Sequence, residues 1–303
     1  MGEKILIGGQ AVIEGVLMRA PNHYAVAVRK PDDKISVKTE QYVPYTKRNK
    51  FLGLPLIRGI VVLIETVYIG SKALTYSANE SLGEEEEELT KKELALTFLI
   101  SIIAALVIFK FIPLLLANLL TEGIGLSNFW FNLVDGIIKI SIFLGYLYTI
   151  SMMTDVKRMF EYHGAEHMTV HAYEADKKLN VKNVRPYQTM HPRCGTEFLL
   201  LVLVISILFY MVIPFGAGFW TKYALRILLL PVIAGVSYEV LKFAGMHYDK
   251  WIFKAISVPG MLLQKITTSK PGDKQIEVAI KSLKAALKAE KKFTSQAPSV
   301  TRS

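Results

Sequence analysis

The chain of 303 residues is 51% hydrophobic and carries a formal net charge of +10. Its long unbroken apolar runs favour a membrane protein over a single soluble domain. Cys194 is the single cysteine, which excludes an intrachain disulfide and suits a reducing compartment. Together these properties predict a mainly α-helical, polytopic membrane protein with four transmembrane helices, an interfacial helix and a small N-terminal β element.

Residues 1–50 are predicted to form the cytoplasmic β-rich element. Tyr24–Arg29 and Ile35–Val43 alternate apolar and polar residues on either side of Pro31-Asp32-Asp33, as expected of a hairpin. The glycines of the preceding segment, Gly8–Arg19, indicate places where the backbone turns or approaches another element closely. Their spacing is not that of a nucleotide-binding loop.

Residues 51–92 are predicted to hold an interfacial helix and an acidic linker. Leu54–Ser77 is mostly apolar but has one narrow polar stripe at seven-residue spacing. The stripe consists of Arg58, Glu65 and Lys72. If this helix crossed the membrane it would carry the basic N-terminal region outside, so an interfacial or re-entrant helix is expected. Gly83–Glu88 is interpreted as a solvated connector.

Two pairs of transmembrane helices are predicted, at residues 93–153 and 198–245. Pro113 and Lys110 are expected to break the first helix near its far end. The second pair is separated by so few residues that a tight helical hairpin is expected. The four predicted spans are Leu94 to about Leu120, about Phe129 to Met153, Phe198 to about Phe219, and Tyr223 to Ala244.

The basic residues predict the orientation of these helices. Thirteen Lys and Arg residues precede Leu94, seven lie between Thr154 and Glu197, and twelve follow from Lys242 onward, whereas the segment Thr121–Asn128 has none. Translocated loops avoid Lys and Arg, so both termini, residues 154–197 and residues 246–303 are expected to be cytoplasmic. The net charge of +10 is then explained by this bias of Lys and Arg toward the cytoplasmic side. Anionic membrane lipid is the expected partner of the basic residues, and no specific DNA binding is expected.

Most of the candidate chemistry lies in residues 154–197. His163-x-x-Glu166-His167 matches the H-x-x-E-H pattern, in which two histidines one helical turn apart hold Zn²⁺ and the glutamate acts as general base. His171 continues the same helical side at the next turn. An ordinary helix also carries such histidine pairs by chance, and Glu166 would equally fit a surface carboxylate paired with Lys157 or Arg158.

A second motif follows in His191-Pro192-Arg193-Cys194, where His191 and Cys194 have a spacing that a tight turn can present to one metal. With His163 and His167 they would supply the four ligands of a closed structural zinc site. A catalytic site would use three ligands and leave one position for water. Glu239, near the cytoplasmic end of the fourth predicted span, is a further candidate ligand, and the expected cofactor is a divalent metal, Zn²⁺ by its ligand types.

Gly164 lies inside the predicted histidine helix, where glycine costs about 1 kcal/mol relative to alanine. It is therefore expected to allow close approach by another element, with Gly8-Gly9 as one candidate. Glu14 and His23 would then be near enough to complete the site, although a satisfied surface role also fits His23.

Four ionisable residues fall within the predicted spans, toward their non-cytoplasmic half. They are Lys110, Asp135, Lys139 and Arg226. Ionisable groups at such depth indicate function. Asp135 and Lys139 are one turn apart, however, and mutual neutralisation explains that pair equally well.

At these same motifs the chain resembles the YqhQ family of bacterial membrane proteins, often described as predicted metal-dependent enzymes. The resemblance spans about residues 5–265 and departs from the expected pattern at Met168, where a lysine is expected. It is carried by Gly8–Arg19, Pro55–Gly59, Tyr162–His167, His191–Thr196 and Ser237–Glu239. It implies a bacterial membrane protein with metal-dependent activity, and it implies no substrate.

The expected function is metal-dependent hydrolysis at the cytoplasmic membrane surface. Glu166 would take a proton from water, and Arg193 or Arg19 would neutralise an anionic substrate or a developing oxyanion. The alternative is a non-enzymatic scaffold or assembly factor with a structural metal. In that case a basic amphipathic helix, about Asp273–Lys292, would contact a ribosome or an anionic lipid surface.

Overall fold

The computed structural model describes residues 4–82, 90–121, 123–125, 127–214, 216–247 and 250–296. The predicted acidic linker at Gly83–Glu88 lies outside the described residues. The strands are β1 (Gly8–Val12), β2 (Gly15–Arg19), β3 (His23–Arg29) and β4 (Ile35–Gln41). The helices are α1 (Tyr45–Arg48), α2 (Ile57–Ser81), α3 (Lys91–Leu106), α4 (Ile112–Thr121), α5 (Asn128–Ser151), α6 (Thr154–Glu174), α7 (Val181–Val184), α8 (Gly195–Tyr210), α9 (Phe219–Leu228), α10 (Leu230–Met246), α11 (Trp251–Thr267) and α12 (Asp273–Gln296). A mainly helical chain with a small N-terminal β element is confirmed.

The four strands form an antiparallel meander in the order β1-β2-β3-β4. The predicted hairpin around Pro31-Asp32-Asp33 is confirmed, and Asp33 takes a left-handed conformation in its turn (φ 63°). The glycine-rich segment adds a second hairpin, in which Val12 pairs with Gly15 across a turn containing Glu14 (φ 49°). That hairpin was not predicted, because glycine is depleted in strands and weakens the local signal.

Both faces of the sheet are buried at its two central strands, β2 and β3. Successive side chains of a strand point to opposite faces, and here each face is apolar. Val16, Met18, Ala25 and Ala27 pack in one core with α6 and α12. Leu17, Tyr24, Val26 and Val28 pack in another core with Ile69 and Ala73 of α2. The sheet is therefore the middle layer of three, between α2 on one side and α6 with α12 on the other.

The polar stripe predicted on α2 faces the protein rather than solvent. Glu65 is buried, where it accepts hydrogen bonds from the backbone N–H of Tyr45 (2.6 Å) and the guanidinium of Arg19 (3.4 Å). Lys72 donates to Glu40 of β4 (3.1 Å). The opposite side of α2 leaves Ile64, Val67 and Tyr68 exposed, among other apolar residues. An apolar outer side agrees with the predicted interfacial position of this helix.

The basic amphipathic helix predicted near the C-terminus is confirmed as α12. Its apolar side chains, including Ile276, Ala279 and Leu283, are fully buried against the sheet and α6. Asn22 at the sheet edge donates to Glu290 through its backbone (3.0 Å) and its side chain (2.5 Å). The apolar side of α12 is thus covered by its own chain, and the lysine-rich side remains for any partner.

Two of the described helical segments, Ala95–Thr121 and α5, have the length and apolarity needed to cross a membrane. The pair α9–α10 adds a third if its two helices count as one span, since they meet at a bend of 45°. In the first span α3 and α4 are joined by a π-helical turn, Val107–Phe111. Pro113 lies just beyond the turn, in agreement with the predicted break, and its missing N–H removes one helical hydrogen bond there.

Four full spans are therefore not evident. The helix predicted to extend from Phe198 to about Phe219 is α8, which has 16 residues and ends at Tyr210. At 1.5 Å per residue this corresponds to about 24 Å, less than the roughly 30 Å of a bilayer core. Pro214 follows shortly, and the residue before a proline disfavours helical backbone. Hydropathy did not predict this early end because the segment that follows is also apolar.

Candidate metal centre

The three histidines of α6 lie on one side of that helix, and a chain segment that follows α11 crosses beside them. Ser269 donates its backbone N–H to the carbonyl of Phe160 (2.9 Å), and its own carbonyl lies against Gly164. A side chain at Gly164 would collide with this carbonyl, so the close approach predicted at Gly164 is confirmed. Its partner is Ser269 and not Gly8-Gly9.

Backbone carbonyls fix the orientation of two imidazoles. His163 donates Nδ1–H to the carbonyl of Thr267 (2.8 Å), and His167 donates Nδ1–H to the carbonyl of Thr189 (2.5 Å). A carbonyl only accepts, so both rings hold the proton on Nδ1 and keep a lone pair on Nε2. Metal-binding histidines have this arrangement, in which the outer hydrogen bond sets the tautomer of the ligand nitrogen.

Cys194 completes a group of three converging donors. Its Sγ lies 3.3 Å from Nε2 of His163, and the ligand atoms of His163, His167 and Cys194 all lie within 4.8 Å of one another. Cys194 is also the N-cap of α8, where Sγ accepts from the backbone N–H of Thr196 (3.4 Å). Burial raises the pKa of the Cys194 thiol to about 12, so the group is a neutral thiol until a cation binds beside it.

Glu166 is buried beside these donors. The residue is 4% exposed, and one carboxyl oxygen is 3.4 Å from Nε2 of His167. Burial raises its pKa to about 7, although the nearby His163 opposes that shift. The alternative that Glu166 is a surface carboxylate paired with Lys157 or Arg158 is wrong, because the side chain is buried and Arg158 pairs with Glu14.

Gly9 of β1 packs directly on Glu166. A Cβ atom built on Gly9 would lie 2.7 Å from both Cγ and Oε1 of Glu166, and 2.6 Å from the carbonyl of Leu17. The glycine-rich strand therefore does approach the histidine helix, at the position of the glutamate. Glycine is needed here because a larger residue would force apart β1, β2 and the Glu166 side chain.

His191 belongs to a second group of donors farther along α6. Its Nε2 lies 3.4 Å from a carboxylate oxygen of Glu174, and its Nδ1 accepts from the backbone N–H of Arg193 (3.3 Å). His171, Glu174 and His191 have ligand atoms within 4.8 Å of one another. The structure therefore does not place His191 in the group formed by His163, His167 and Cys194, although its ring centroid is 5.7 Å from that of His167.

Arg193 forms an ion pair with Glu174 at the edge of this second group. It also lines the cavity beside His163, so it remains close to the predicted site. Arg19, the other cation proposed for an anionic substrate, instead lies at the end of β2, where it pairs with Glu65 of α2.

Glu239 is not near the histidines. Both of its carboxylate oxygens bind the guanidinium of Arg58 in α2, and one also accepts from the backbone N–H of Leu56 (3.4 Å). This pairing follows from helix packing: Gly59 and Gly235 let α2 and α10 approach so closely that a Cβ on Gly59 would be 3.1 Å from the Cα of Gly235. Glu239 therefore joins two helices and is not placed as a metal ligand.

Glu14 and His23 do not complete the site either. Glu14 binds Arg158 and Tyr162, while Nδ1 of His23 lies 3.0 Å from Glu290. The carbonyl groups of Thr189 and Thr267 were not predicted, because any residue type can supply a backbone carbonyl and the sequence carries no signal for it.

A cavity of about 290 Å³ opens onto the donor group. Its walls come from β1, α6 and the segment that leads into α8. The lining residues include Gly8, Gly9, Gln10, His163, Glu166, His167, His191, Arg193, Cys194 and Thr196. Two nitrogen donors, one sulfur donor and a buried carboxyl group thus face one small cavity, an arrangement typical of metal-dependent chemistry.

Two comparisons with known proteins agree with the motifs. A family model described as "Protein of unknown function (DUF1385)" matches residues 54–289. The chain is 33% identical over 296 residues to the "Uncharacterized protein YqhQ" of Bacillus subtilis (strain 168), covering 93% of this chain and 92% of that protein. No solved structure matches the chain significantly. The chain belongs to the YqhQ family, described as DUF1385, a family of unknown function.

Proposed function

We propose that the protein is a metal-dependent hydrolase that acts at the cytoplasmic surface of the bacterial inner membrane. The observation that carries this proposal is the convergence of Nε2 of His163, Nε2 of His167 and Sγ of Cys194, with each imidazole anchored through Nδ1 to a carbonyl. Such anchoring selects the tautomer that a metal requires and holds the rings in place before any ion binds.

The donor set fits Zn²⁺. Imidazole and thiolate are preferred zinc ligands, and three protein ligands leave one position open in a tetrahedral site. The separation of 3.3 Å between Sγ of Cys194 and Nε2 of His163 is short enough for both atoms to reach one ion. When bound, such an ion would polarise the scissile group and favour ionisation of water.

Glu166 is proposed as the general base. Its carboxyl group is beside the donors without being one of the three, and Gly9 leaves room for it on the side of β1. A pKa of about 7 lets the carboxylate accept a proton at neutral pH and release it again. Arg193, at the cavity wall, would neutralise negative charge on the substrate after exchanging its contact with Glu174.

Membrane lipid is the expected environment of this site, and the substrate is unassigned. The lysine-rich side of α12 is available for contact with an anionic lipid surface, the partner that its charge fits better than DNA. A hydrolase located there would act on membrane-associated or membrane-derived substrates.

The burial of the donors favours one alternative, in which the metal is structural and the protein is not an enzyme. His167 is 3% exposed and Cys194 is 5% exposed, and together with His163 they join α6 to the start of α8. A metal at this point would hold two elements together, as structural zinc does. In that case the protein is a scaffold or assembly factor, and the lysine-rich side of α12 would contact a ribosome or an anionic lipid surface.

The charge of Glu166 separates the two functions. Wild-type protein and the variants Glu166→Gln and His163→Ala are purified without chelator for metal analysis, and the same variants are tested for complementation of a deletion strain. The hydrolase predicts that Glu166→Gln retains metal and abundance but fails to complement, whereas His163→Ala loses both metal and function. Full complementation by Glu166→Gln at wild-type abundance would contradict the hydrolase proposal and favour the scaffold.

A further inference from the structure

The two edge strands of the sheet, β1 and β4, differ in how their outer edges are protected. An edge strand presents unpaired backbone N–H and C=O groups, which proteins usually shield with charged residues, prolines or bulges. β4 carries Lys38 and Glu40 and so has this protection. β1 has the sequence Gly-Gly-Gln-Ala-Val, with neither charge nor proline, and its pairing with β2 runs without a bulge. The unprotected edge is therefore the one beside the candidate metal centre.

The register of the first hairpin shows which backbone groups of β1 face outward. Val12 pairs with Gly15 across a two-residue turn, so this pair is hydrogen-bonded. Hydrogen-bonded and non-hydrogen-bonded pairs alternate along an antiparallel ladder. Gly9 and Ala11 therefore direct their N–H and C=O groups away from β2. Within the part of the chain that the structure describes, no other backbone group forms a hydrogen bond with these outward groups.

Open space lies on both faces of the sheet at this edge. The cavity of about 290 Å³ that contains the donor group is lined by residues 8–11 of β1. A second cavity, of about 350 Å³, is lined by residues 8–10 of β1 and by Thr66 and Ile69 of α2. Successive side chains of a strand point to opposite faces. A strand paired with β1 would thus place alternate side chains in the two cavities.

The glycines of β1 allow another chain to approach. Gly8 and Gly9 are both exposed, and a Cβ atom on Gly8 would meet nothing within 4 Å. Glycine within a strand is typical of places where a ligand or another backbone comes close. An added strand would lie about 4.8 Å from β1. Because Gly9 contacts Glu166, the added backbone would pass beside the candidate base and the cavity that holds the donors.

We propose that the outer edge of β1 binds an extended polypeptide segment as a fifth strand, and that this segment is the substrate of the hydrolase. The identity of the substrate rests on the proposed function, whereas binding at the edge does not depend on it. A polypeptide supplies alternating N–H and C=O groups that match those of Gly9 and Ala11, and such main-chain hydrogen bonds provide the affinity in strand addition. A lipid headgroup or a sugar lacks this two-residue repeat.

The reaction on such a substrate is hydrolysis of a peptide bond. The oxygen of water forms a bond with the carbonyl carbon, and the carboxylate of Glu166 takes a proton from the water. Glu166 then passes this proton to the amide nitrogen, and the C–N bond breaks. The products are a carboxylic acid and an amine, and water is the only other reactant.

Peptide binding is measured on the full chain carrying Glu166→Gln, which prevents turnover under the proposed function. The probe is a fluorescein-labelled heptapeptide of alternating Leu and Thr, and its control is the same peptide with every backbone nitrogen methylated. Fluorescence anisotropy should show saturable binding of the unmethylated peptide alone, because methylation removes the N–H donors and leaves the side chains unchanged. Amide hydrogen exchange of residues 8–12 should slow when the unmethylated peptide is bound.

Ala11→Pro, added to Glu166→Gln, tests the edge from the side of the protein. Proline removes the outward N–H of this residue and is tolerated on an edge strand where that N–H is unpaired. The affinity for the peptide should fall about tenfold. The matched control is Ile13→Pro, which places proline at the first central position of the turn, where its fixed φ is favourable. This control should leave the affinity unchanged, and thermal unfolding verifies that both variants fold.

Three outcomes would count against these inferences. Equal binding of the methylated and unmethylated peptides, or binding of neither, would overturn the proposal. Protection of residues 8–12 that rises with protein concentration and not with peptide would overturn it too, since a second copy of the chain would then occupy the edge. Binding to Glu166→Gln without cleavage of the same peptide by wild type would contradict the hydrolysis and favour the scaffold, with β1 as its binding site.

Discussion

The side chain of Glu166 lies directly on Gly9, so that a methyl group added to Gly9 would come within 2.7 Å of the Glu166 carboxyl. Gly9 and Gly8 are adjacent, yet a Cβ atom on Gly8 would meet nothing within 4 Å. This difference connects the glycine-rich strand to the candidate general base and provides a matched pair of positions for mutation.

Gly9→Ala is expected to displace Glu166 and abolish complementation, while His163, His167 and Cys194 continue to hold metal. The overpacking should destabilise the protein by about 1–3 kcal/mol. Gly8→Ala is the control and should complement fully. Metal content, unfolding temperature and complementation are measured for both variants, and equal behaviour of the two would contradict the role given to Gly9.

Protein purified without chelator is expected to contain about one divalent metal ion per chain at His163, His167 and Cys194. Removal of the ion should lower the free energy of unfolding by about 3 kcal/mol at saturating metal, because only the folded chain assembles the site. Cys194→Ala should lose the ion, and His247→Ala, which changes a histidine outside the group, should keep it. The metal content is measured by elemental analysis and the stability by thermal unfolding. If the purified wild-type protein contains no metal and added Zn²⁺ does not raise its unfolding temperature, the predicted site does not exist.

Glu290 should make stability depend on pH. Burial by itself would raise its pKa, but hydrogen bonds from His23 and from Asn22 outweigh burial and lower it below the usual range. A depressed pKa in the folded state stabilises the protein above the unfolded value of about 4.3, and this stabilisation is lost as the pH falls through the folded value. Glu290→Gln is therefore expected to destabilise the protein by about 1.5–3 kcal/mol at pH 7.

The difference between wild type and Glu290→Gln should shrink as the pH falls below about 4.3, because the wild-type carboxyl then becomes protonated as well. The control is Glu277→Gln, which changes a carboxylate of the same helix that is 48% exposed and pairs with Arg29. Its effect should be below about 1 kcal/mol. A pH-independent difference for Glu290→Gln would contradict the prediction.

Reporter fusions at Glu86, Lys178 and Lys284 should all indicate cytoplasm, and a fusion at Glu122 the opposite side. The packing supports a common side for the N-terminal sheet, α6 and α12, because these elements share one core. The charge partition predicts that this side is cytoplasmic. A periplasmic signal at Lys178 would remove the histidines from the reducing compartment and refute the topology.

The sequence alone determined the features that depend on local pattern. Alternation around Pro31–Asp33 predicted the hairpin, the amphipathic pattern predicted α12, and helical spacing placed His163 and His167 side by side. Cys194 was recognised as a donor by its residue type. These predictions hold because hydrophobic period and turn chemistry act over a few residues and leave a mark in the sequence.

Only the tertiary structure decided which distant groups meet. Glu239 had the right chemistry for a ligand, but the contact of Gly59 with Gly235 brings it to Arg58 instead. His191 faces Glu174 rather than Cys194, and the carbonyls of Thr267 and Thr189 orient the imidazoles of the candidate site. Side-chain partners such as Arg58 and Glu174 are selected by the packing of helices and loops, which the local sequence does not encode. Backbone carbonyls are the same in every residue, so the sequence carries no signal for their contacts.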